Sequence, residues 1–291
     1  MNYNLPKIRG KYKLNYVLKT WFDVGGACEV VFLPKDLEDL VFFLKNIDKT
    51  IPLTIVGACS NVIVSDEGIK GIVIKLPSEF AKITHQDNLV TAGASNLCSN
   101  IALYSKNAAL SGLEFFSGIP GSVGGAIAMN AGCYGSDVSQ KLISAKAITF
   151  NGEIFELKNS DFSFCYRGSK IAKDFIFVEG CFELEKSSVE IVGKNIFELN
   201  KKREETQPIR AKTGGSTFKN PENNSAWKLI DEAGFRGKKI GDAKFSEKHC
   251  NFMINCKKAK AQDLIDLANA AKKAVKEKSN IELEMEIKIL N

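Results

Sequence analysis

A stretch rich in glycine constrains the fold of this chain more than any other segment. Residues 118–126 read GIPGSVGGA, with four glycines, a proline and a serine in nine residues, and small residues continue to Gly132. Glycine permits positive φ and lets backbone N–H groups approach a bound group closely. Successive N–H groups in such turns form a concave site for anions, to which Ser122 adds a hydroxyl donor. We therefore predict that this segment binds a phosphate.

A second, shorter loop, GACSN at 57–61, has the same features. It lies between short apolar runs at 53–56 and 71–74, which are typical of buried strands. By itself it is more typical of a tight turn, but two such loops in one domain suit the pyrophosphate of a dinucleotide cofactor. Neither loop carries the G-x-G-x-x-G fingerprint of dinucleotide-binding βαβ units or the Gly-Lys-Ser/Thr of a P-loop. The cofactor-binding fold is therefore expected to be of another kind.

Mixed helical and strand periodicities predict an α+β fold. Apolar residues at helical spacing indicate a helix at 36–46, capped by Asp36, and another at 264–275. Residues 281–290 alternate between apolar and charged side chains, which predicts an exposed-edge or half-buried strand. A polar segment at 186–188 is the expected boundary between a larger N-terminal part and a C-terminal part of about 100 residues.

Composition excludes several classes of protein. The 291 residues are 44% hydrophobic and 25% charged, which is ordinary for globular chains and excludes a disordered or collagen-like one. No apolar run reaches the ~18 residues of a membrane span, and the N-terminus lacks the apolar core of a secretion signal, so we expect a cytoplasmic protein. The eight cysteines are scattered without a C-x-x-C pair, so we expect neither a disulfide framework nor a metal site.

The formal net charge of +6 lies entirely in residues 190–291, which hold 21 Lys and Arg against 15 Asp and Glu. A solvated, lysine-rich surface is the simplest interpretation, and attraction for an anionic ligand is the functional one. The basic residues do not alternate with aromatic ones, which argues against a nucleic-acid partner. We expect a monomer that binds a small molecule and neither nucleic acid nor a membrane.

Short motifs along most of the chain share one family resemblance. In chain order they are TWFDVGG at 20–26, GACSN at 57–61 with DEG at 66–68, GLEF at 112–115 leading into GIPG at 118–121, YRGS at 166–169, GSTFKNP at 215–221, KHCNF at 248–252 and LEME at 283–286. Each motif alone is weakly specific, but the ordered set is strongly specific. Together they resemble the UDP-N-acetylenolpyruvoylglucosamine reductases, flavoenzymes of peptidoglycan precursor synthesis.

The resemblance implies an FAD-binding region of the vanillyl-alcohol-oxidase type at 1–188, with subdomains of about 1–76 and 77–188. An α+β substrate-binding domain follows at 189–291. The chain resembles the shorter class of the family, which lacks the segment that carries a substrate-covering tyrosine. One departure is Cys59, which stands where a glycine is usual and is expected to crowd the backbone beside the FAD phosphates.

The resemblance also implies the reaction. NADPH gives a hydride to non-covalently bound FAD, which passes it to the enolpyruvyl ether of UDP-N-acetylglucosamine to form UDP-N-acetylmuramate. Negative charge then develops beside the substrate carboxylate, where the cation of Arg167 stabilises it. Ser216 protonates the second carbon, and Glu286 is the third catalytic residue. From the residues alone, a surface arginine paired with Asp161, a polar turn and a solvated strand edge are the favoured explanations of these three positions, and the resemblance to the family changes that preference.

The remaining site residues follow from the same motifs. The expected FAD contacts are Gly57, Cys59, Ser60, Asn61, Ile119, Pro120, Gly121, Ser122, Gly125, Ala126, Asn130 and Gly132. The expected contacts to the nucleotide-sugar substrate are Tyr166, Lys219, Asn220 and Lys288. The two histidines are His85 and His249. Because no histidine precedes position 85, covalent attachment of the flavin through histidine is disfavoured, and His249 is interpreted as a packing residue.

Two other functions remain open on this evidence. One is an FAD-dependent oxidase of the same fold that uses oxygen to oxidise a sugar or an alcohol. The other is a flavin- or nucleotide-sugar-binding module without catalysis, which the joint presence of Arg167, Ser216 and Glu286 disfavours. A binding module would not oxidise NADPH, and this property separates it from both enzymes.

Overall fold

The computed structural model describes residues 3–291. Met1 and Asn2, the first positions of the predicted FAD-binding region, lie outside the described residues. The chain forms two compact units. The first contains the residues up to Leu14, Val30–Ala58 and Gly71–Lys202, and the second contains Asn15–Glu29, Cys59–Lys70 and Arg203–Asn291. The domain boundary between 188 and 189 stays a prediction.

Helices and short strands are mixed along the whole chain. The strands are β1 (Lys11–Val17), β2 (Ala27–Leu33), β3 (Leu53–Val56), β4 (Val62–Val64), β5 (Ile69–Lys75), β6 (Ile83–Gln86), β7 (Leu89–Gly93), β8 (Leu110–Ser111), β9 (Gly132–Cys133), β10 (Ser136–Asp137), β11 (Leu142–Thr149), β12 (Ile154–Lys158), β13 (Phe164–Cys165), β14 (Gly168–Ser169), β15 (Phe175–Glu183), β16 (Glu185–Lys186), β17 (Lys239–Ile240), β18 (Ala243–Phe245), β19 (Met253–Asn255) and β20 (Lys288–Leu290). The α-helices are α1 (Leu37–Asn46), α2 (Cys98–Asn107), α3 (Val123–Ala128), α4 (Val189–Thr206), α5 (Ala226–Glu232) and α6 (Ala261–Ser279).

The helix predicted at 36–46 is α1. Asp36 is its N-cap, because the carboxylate accepts a hydrogen bond from the N–H of Asp39 at 2.9 Å. Leu40, Phe43 and Leu44 are buried in an apolar core that also contains side chains of β2 and β5. These strands belong to a sheet with the order β1-β2-β5-β3, in which β3 and β5 run parallel.

A five-stranded antiparallel sheet of the first unit supports the glycine-rich segment. Its order is β12-β11-β15-β7-β6. Helix α3, which begins within the glycine-rich segment, packs on β15. The close approach requires a glycine in the strand, because a Cβ at Gly180 would lie 2.7 Å from the Ile127 side chain. Packing on the sheet therefore fixes the position of the segment that follows Ser122.

The second unit has its own apolar core around α6. Every residue of the predicted apolar face of this helix is at most 1% exposed, which confirms the prediction: Leu264, Leu267, Ala268, Ala271 and Val275. Phe22, from the TWFDVGG motif, is fully buried in the same core. An antiparallel sheet with the order β17-β18-β19 adjoins this helix.

The strand predicted for residues 281–290 is largely wrong. Only β20 is a strand, parallel to β4, and Met285 forms an isolated bridge with Phe218. The reason is a change of backbone partner. Glu286 donates its N–H to Thr217 O, whereas Lys288 donates its N–H to Asn61 O. A chain that passes from one partner to another within two residues cannot continue one ladder.

Within residues 3–291, no helix is long and apolar enough to cross a bilayer. The same part of the chain contains no group of three His, Cys, Asp or Glu side chains that could hold a metal ion. The cysteines of the described chain form no disulfide.

Candidate active site

The glycine-rich segment forms a tight turn into α3. Ser122 is the N-cap, and its Oγ accepts from the N–H of Gly125 at 3.4 Å. The N–H groups of Gly121, Val123 and Gly124 donate to backbone oxygens of the protein at 2.8–2.9 Å. These three N–H groups therefore do not form the concave anion site that the sequence predicts. What the glycines provide is close packing, since a Cβ at Gly124 would lie 2.8 Å from Ala94 Cβ.

The two predicted loops meet where Gly57 lies against Ser122. A Cβ at Gly57 would clash with Ser122 Oγ, so a larger residue here would force the Ser122 side chain to move. Beside this contact lies a cavity of about 470 Å³. Of the predicted FAD contacts, three line it, namely Gly57, Ser122 and Gly125. The structure thus brings both loops to one cavity, as a dinucleotide site requires.

Other predicted FAD contacts of the first unit do not line this cavity. They are Ile119, Pro120, Gly121, Ala126, Asn130 and Gly132. Their assignment to the cofactor stays a prediction. The side chain of Asn130 is hydrogen-bonded within the protein. Its Nδ2 donates to Cys165 O at 3.1 Å, and its Oδ1 accepts from Ser139 N at 2.9 Å.

The cavity residues fit a flavin dinucleotide. The walls of the cavity include three aromatic side chains that provide apolar surface, Phe150, Phe175 and Phe177. They also include two cations, Lys75 and Lys173. Lys75 Nζ lies 3.3 Å from Gly57 O, which places the charge at the first loop. Phosphates are bound by such ammonium groups, and apolar walls suit a ring system.

An orphaned hydroxyl also points to a ligand in this cavity. Ser95 lines the cavity, and its Oγ is buried without a hydrogen-bond partner. Because a buried hydroxyl without a partner is destabilising, a bound group that hydrogen-bonds to it is expected. Ser95, Lys75 and Lys173 were not predicted from the sequence. The one available signal was the charged Lys75 directly after the apolar run 71–74.

Arg167 lies in the two-residue turn of a short hairpin formed by β13 and β14. Phe164 pairs with Ser169 and Cys165 pairs with Gly168, so that Tyr166 and Arg167 form the turn. Arg167 has a φ of 61°, and its guanidinium carbon lies 4.9 Å from the centroid of the Tyr166 ring. Tyr166 is 51% exposed. A cation over an aromatic face restricts the range of positions that the guanidinium can adopt.

Asp161, the alternative partner of Arg167, has a structural contact of its own. Its Oδ2 accepts from the backbone N–H of Lys158 at 2.7 Å, at the start of the turn Asn159–Phe162. This contact explains an acidic residue at this position without Arg167.

In the second unit, Ser216 and Glu286 lie on adjacent segments. Ser216 forms an isolated antiparallel bridge with Phe252. The next residue, Thr217, accepts the N–H of Glu286 through its backbone oxygen at 2.9 Å. The structure therefore brings together two of the three predicted catalytic residues, which are 70 positions apart in the sequence.

Asn251 holds the segment that carries Ser216. Its Oδ1 accepts from Phe218 N at 3.0 Å and its Nδ2 donates to Phe218 O at 2.8 Å, so that the side chain pairs with the backbone as a strand would. Asn251 is 3% exposed. Asn251 belongs to the KHCNF motif, but its role could not be predicted, because a backbone partner 33 residues away leaves no local pattern.

Two predicted substrate contacts of the second unit, Lys219 and Asn220, already have side-chain partners in the protein. Lys219 Nζ lies 2.5 Å from Glu284 Oε1. Asn220 Oδ1 accepts from Ala226 N at 3.0 Å, at the first turn of α5. Lys288 is exposed. A substrate role for Lys219, Asn220 and Lys288 stays a prediction.

The first loop continues into the second unit at Cys59, Ser60 and Asn61. Cys59 is 4% exposed and has a φ of 53°, a conformation that favours glycine. Burial, and then the nearby Cys59, raise the pKa of Cys28 to about 11. Ser60 is half-buried. The backbone at Cys59 therefore has a conformation that favours glycine, although a cysteine stands here.

Comparisons with known proteins agree along the full length. A relative from Anaplasma marginale (strain St. Maries), named UDP-N-acetylenolpyruvoylglucosamine reductase, is 47% identical over 290 residues, which cover 99% of this chain and 96% of the relative. The chain belongs to the UDP-N-acetylenolpyruvoylglucosamine reductase family. A relative of the same name from Rickettsia prowazekii (strain Madrid E) is 45% identical over 98% of this chain and 97% of its own.

Family models and a solved structure place the two parts of this reductase. The model for the C-terminal domain of UDP-N-acetylenolpyruvoylglucosamine reductase matches residues 207–290, and a model for an FAD binding domain matches residues 28–158. The crystal structure of the reductase from Thermus caldophilus has a TM-score of 0.83 at 30% identity and covers 98% of this chain and 100% of its own. The predicted fold class, an α+β FAD-binding region followed by a C-terminal α+β domain, is confirmed. This family member is a flavoprotein oxidoreductase of peptidoglycan precursor synthesis.

Proposed function

We propose that this protein reduces enolpyruvyl-UDP-N-acetylglucosamine to UDP-N-acetylmuramate, with NADPH as the hydride donor and FAD as the non-covalent carrier. The observation that carries the proposal is the hydrogen bond from Glu286 N to Thr217 O at 2.9 Å. This bond sets Glu286 beside the segment of Ser216 in a chain that resembles the named reductases over its full length. Nothing in the structure favours the oxidase alternative over this function.

Bound FAD would supply the hydride chemistry. The protein must hold the cofactor, orient the substrate and deliver a proton to it. In the first unit, Gly57, Ser122 and Gly125 with the two cavity lysines would hold the dinucleotide. Non-covalent binding is supported by this cavity, whose walls contain no histidine. The apolar side chains of the cavity walls would suit the ring system of the flavin.

Arg167 stabilises the charge that develops on the substrate. When hydride adds to the methylene carbon, negative charge spreads from the adjacent carbon into the carboxylate. A guanidinium stays cationic throughout and can hold a carboxylate through two parallel hydrogen bonds. A cation that is already in position stabilises the transition state more than the ground state. The stacking of Arg167 on Tyr166 supports such a fixed position.

Ser216 delivers the proton that completes the reduction. A serine hydroxyl is a weak acid, so it serves only a strongly basic carbon and only from a well-held position. The bridge to Phe252 and the amide of Asn251 provide that position. Glu286, on the adjacent segment, takes part in this proton delivery. Lys219, Asn220, Lys288 and Tyr166 are the proposed contacts to the nucleotide sugar, and the positive charge of residues 190–291 suits its pyrophosphate.

The test is product analysis by mass spectrometry. The FAD-loaded protein, incubated with NADPH and enolpyruvyl-UDP-N-acetylglucosamine, should form a product heavier by two hydrogen atoms, in step with NADPH consumption. The control reaction contains UDP-N-acetylglucosamine, which has no double bond to reduce. NADPH consumption without the heavier product would overturn the proposal, and use of NADH at equal efficiency would overturn only the choice of donor.

A further inference from the structure

Asn130 ends the glycine-rich segment and is tied to the protein backbone on both sides of its amide. Its Nδ2 donates to Cys165 O at 3.1 Å, and its Oδ1 accepts from Ser139 N at 2.9 Å. The residue is 4% exposed and does not line the cofactor cavity. Its φ is 43°, a left-handed conformation that asparagine tolerates better than most residues. Burial, conformation and both bonds together indicate a specific role for the amide.

The partner of this amide is the hairpin that carries Arg167. Cys165 is the last residue before the turn, so the bond from Asn130 fixes the strand end two residues before Arg167. Each strand of this hairpin has only two paired residues. An isolated two-stranded hairpin is marginal in water and needs outside contacts to stay in place. Such contacts include the stacking of Phe164 on Phe162, with ring centroids 4.6 Å apart, and the hydrogen bond from Asn130 to Cys165 O.

We propose that Asn130 is a positioning residue for Arg167, rather than the FAD contact that the sequence predicts. Its amide holds the base of the hairpin on the glycine-rich segment, and the guanidinium is thereby pre-positioned for the charge that develops during reduction. The inference rests on the proposed function, in which Arg167 acts on the enolpyruvyl substrate. A displacement of ~1 Å at such a group can lower the rate about a hundredfold, so loss of one anchoring bond has a measurable effect.

Asn130→Asp isolates the bond to the hairpin. The carboxylate keeps an acceptor for Ser139 N and tolerates the left-handed conformation, but it cannot donate to Cys165 O. The matched control is Asn88→Asp in the same unit, which removes an amide donor to Leu184 O and leaves the Arg167 hairpin intact. Asn130→Gly, which also tolerates the conformation, is the second variant if the buried carboxylate prevents folding.

The two half-reactions distinguish positioning from a general structural effect. We expect Asn130→Asp to slow reoxidation of reduced flavin by the enolpyruvyl substrate at least about tenfold. Reduction of the flavin by NADPH and the affinity for FAD should stay within about twofold of the wild type, and Asn88→Asp should change neither half-reaction. In an Arg167→Lys background the effect of Asn130→Asp should largely vanish, because coupled residues do not act additively.

Several results would overturn the inference. Wild-type reoxidation in both Asn130 variants would do so, as would full additivity with Arg167→Lys. If the Asn130 variants bind FAD more weakly but the flavin that remains bound is reoxidised at the normal rate, Asn130 is an FAD contact rather than a positioning residue. If the enolpyruvyl substrate does not reoxidise the reduced flavin of the wild-type protein, the proposed function is wrong, and the role of Asn130 that depends on it is wrong as well.

Discussion

Asn61 donates a hydrogen bond from its side-chain Nδ2 to the backbone oxygen of Glu286 at 3.0 Å. The backbone oxygen of Asn61 also accepts the N–H of Lys288 at 3.0 Å. The residue that the sequence predicts as an FAD contact therefore holds the segment of Glu286 on both sides of Ile287. One side chain thus links two backbone segments of the second unit that are 225 positions apart in the sequence.

Replacing Asn61 by aspartate should impair proton delivery. Aspartate cannot donate to Glu286 O, and its charge would face a carbonyl oxygen, so the segment of Glu286 shifts. We expect the kcat for the enolpyruvyl substrate to fall about tenfold, with KM for NADPH nearly unchanged, in steady-state assays. Asn280→Asp is the control, because Asn280 is an exposed helix C-cap with a φ of 58° and the substitution adds the same charge there. Equal effects of the two substitutions would contradict the role of Asn61.

The sequence predicts a contact of this site only where the contact leaves a pattern among neighbouring residues. The periodic face of α6 and the cap at Asp36 were readable because helical geometry repeats every few residues. The meeting of the two glycine loops at Gly57 and Ser122 was implied by their composition, since both have the residues of close-approach turns.

The remaining contacts were not readable, because they are single hydrogen bonds between distant positions. Asn61, Asn130 and Asn251 all use side-chain amides on backbone atoms of other segments. Some motif residues have a structural role that the sequence did not predict. The carboxylate of Asp66, for example, accepts hydrogen bonds from the first N–H groups of α6, at Ala261 and Gln262. A motif match indicates that such a residue has a role, but only the structure shows which backbone atoms its side chain binds.

The cavity lysines should determine the affinity for the FAD phosphates. Lys75→Met and Lys173→Met each remove a cation from the cavity wall, and a charge-assisted hydrogen bond contributes about 1.5–3 kcal/mol. We expect FAD to bind roughly tenfold or more weakly to each variant, measured by equilibrium titration of the apoprotein.

Riboflavin is the matched ligand for this experiment, because it lacks the phosphates and should bind both lysine variants like the wild type. Lys82→Met, at an exposed lysine of the same unit, is the control variant. The assignment of these lysines to the phosphates would be contradicted by equal losses of affinity for FAD and riboflavin.

Cys59→Gly should stabilise the protein relative to Cys59→Ala. With a φ of 53°, any residue with a Cβ costs roughly 1–2 kcal/mol at this position. Both substitutions remove the buried thiol, so their difference is the backbone strain less the greater unfolded-state entropy of glycine. We expect a free energy of unfolding about 1 kcal/mol higher for the glycine variant in urea titrations. If alanine is equal or better, the loop does not carry this strain.

Stability should decrease below pH 6.5 because of His249. Burial, with a smaller effect from the nearby charge of Arg236, lowers the pKa of His249 from its ordinary value of 6.5. Above pH 6.5 the ring is neutral in both the folded and the unfolded chain, and its stabilising effect is fully present. As the pH falls through 6.5, the unfolded chain takes up the proton first, and the free energy of unfolding decreases.

Thermal melts of the wild type and of His249→Gln between pH 8 and pH 5 test this dependence. The variant should lose less stability over this range than the wild type does. A steeper decline for His249→Gln than for the wild type would show that the sign is wrong.

An anaerobic titration of the bound flavin tests the central claim most directly. The flavin of the purified protein is first bleached with NADPH, and enolpyruvyl-UDP-N-acetylglucosamine is then added while flavin absorbance is followed. We expect prompt return of the oxidised spectrum with this substrate and none with UDP-N-acetylglucosamine. A flavin that stays bleached until air is admitted would contradict the reductase, favour an oxidase, and remove the roles given to Arg167, Ser216 and Glu286.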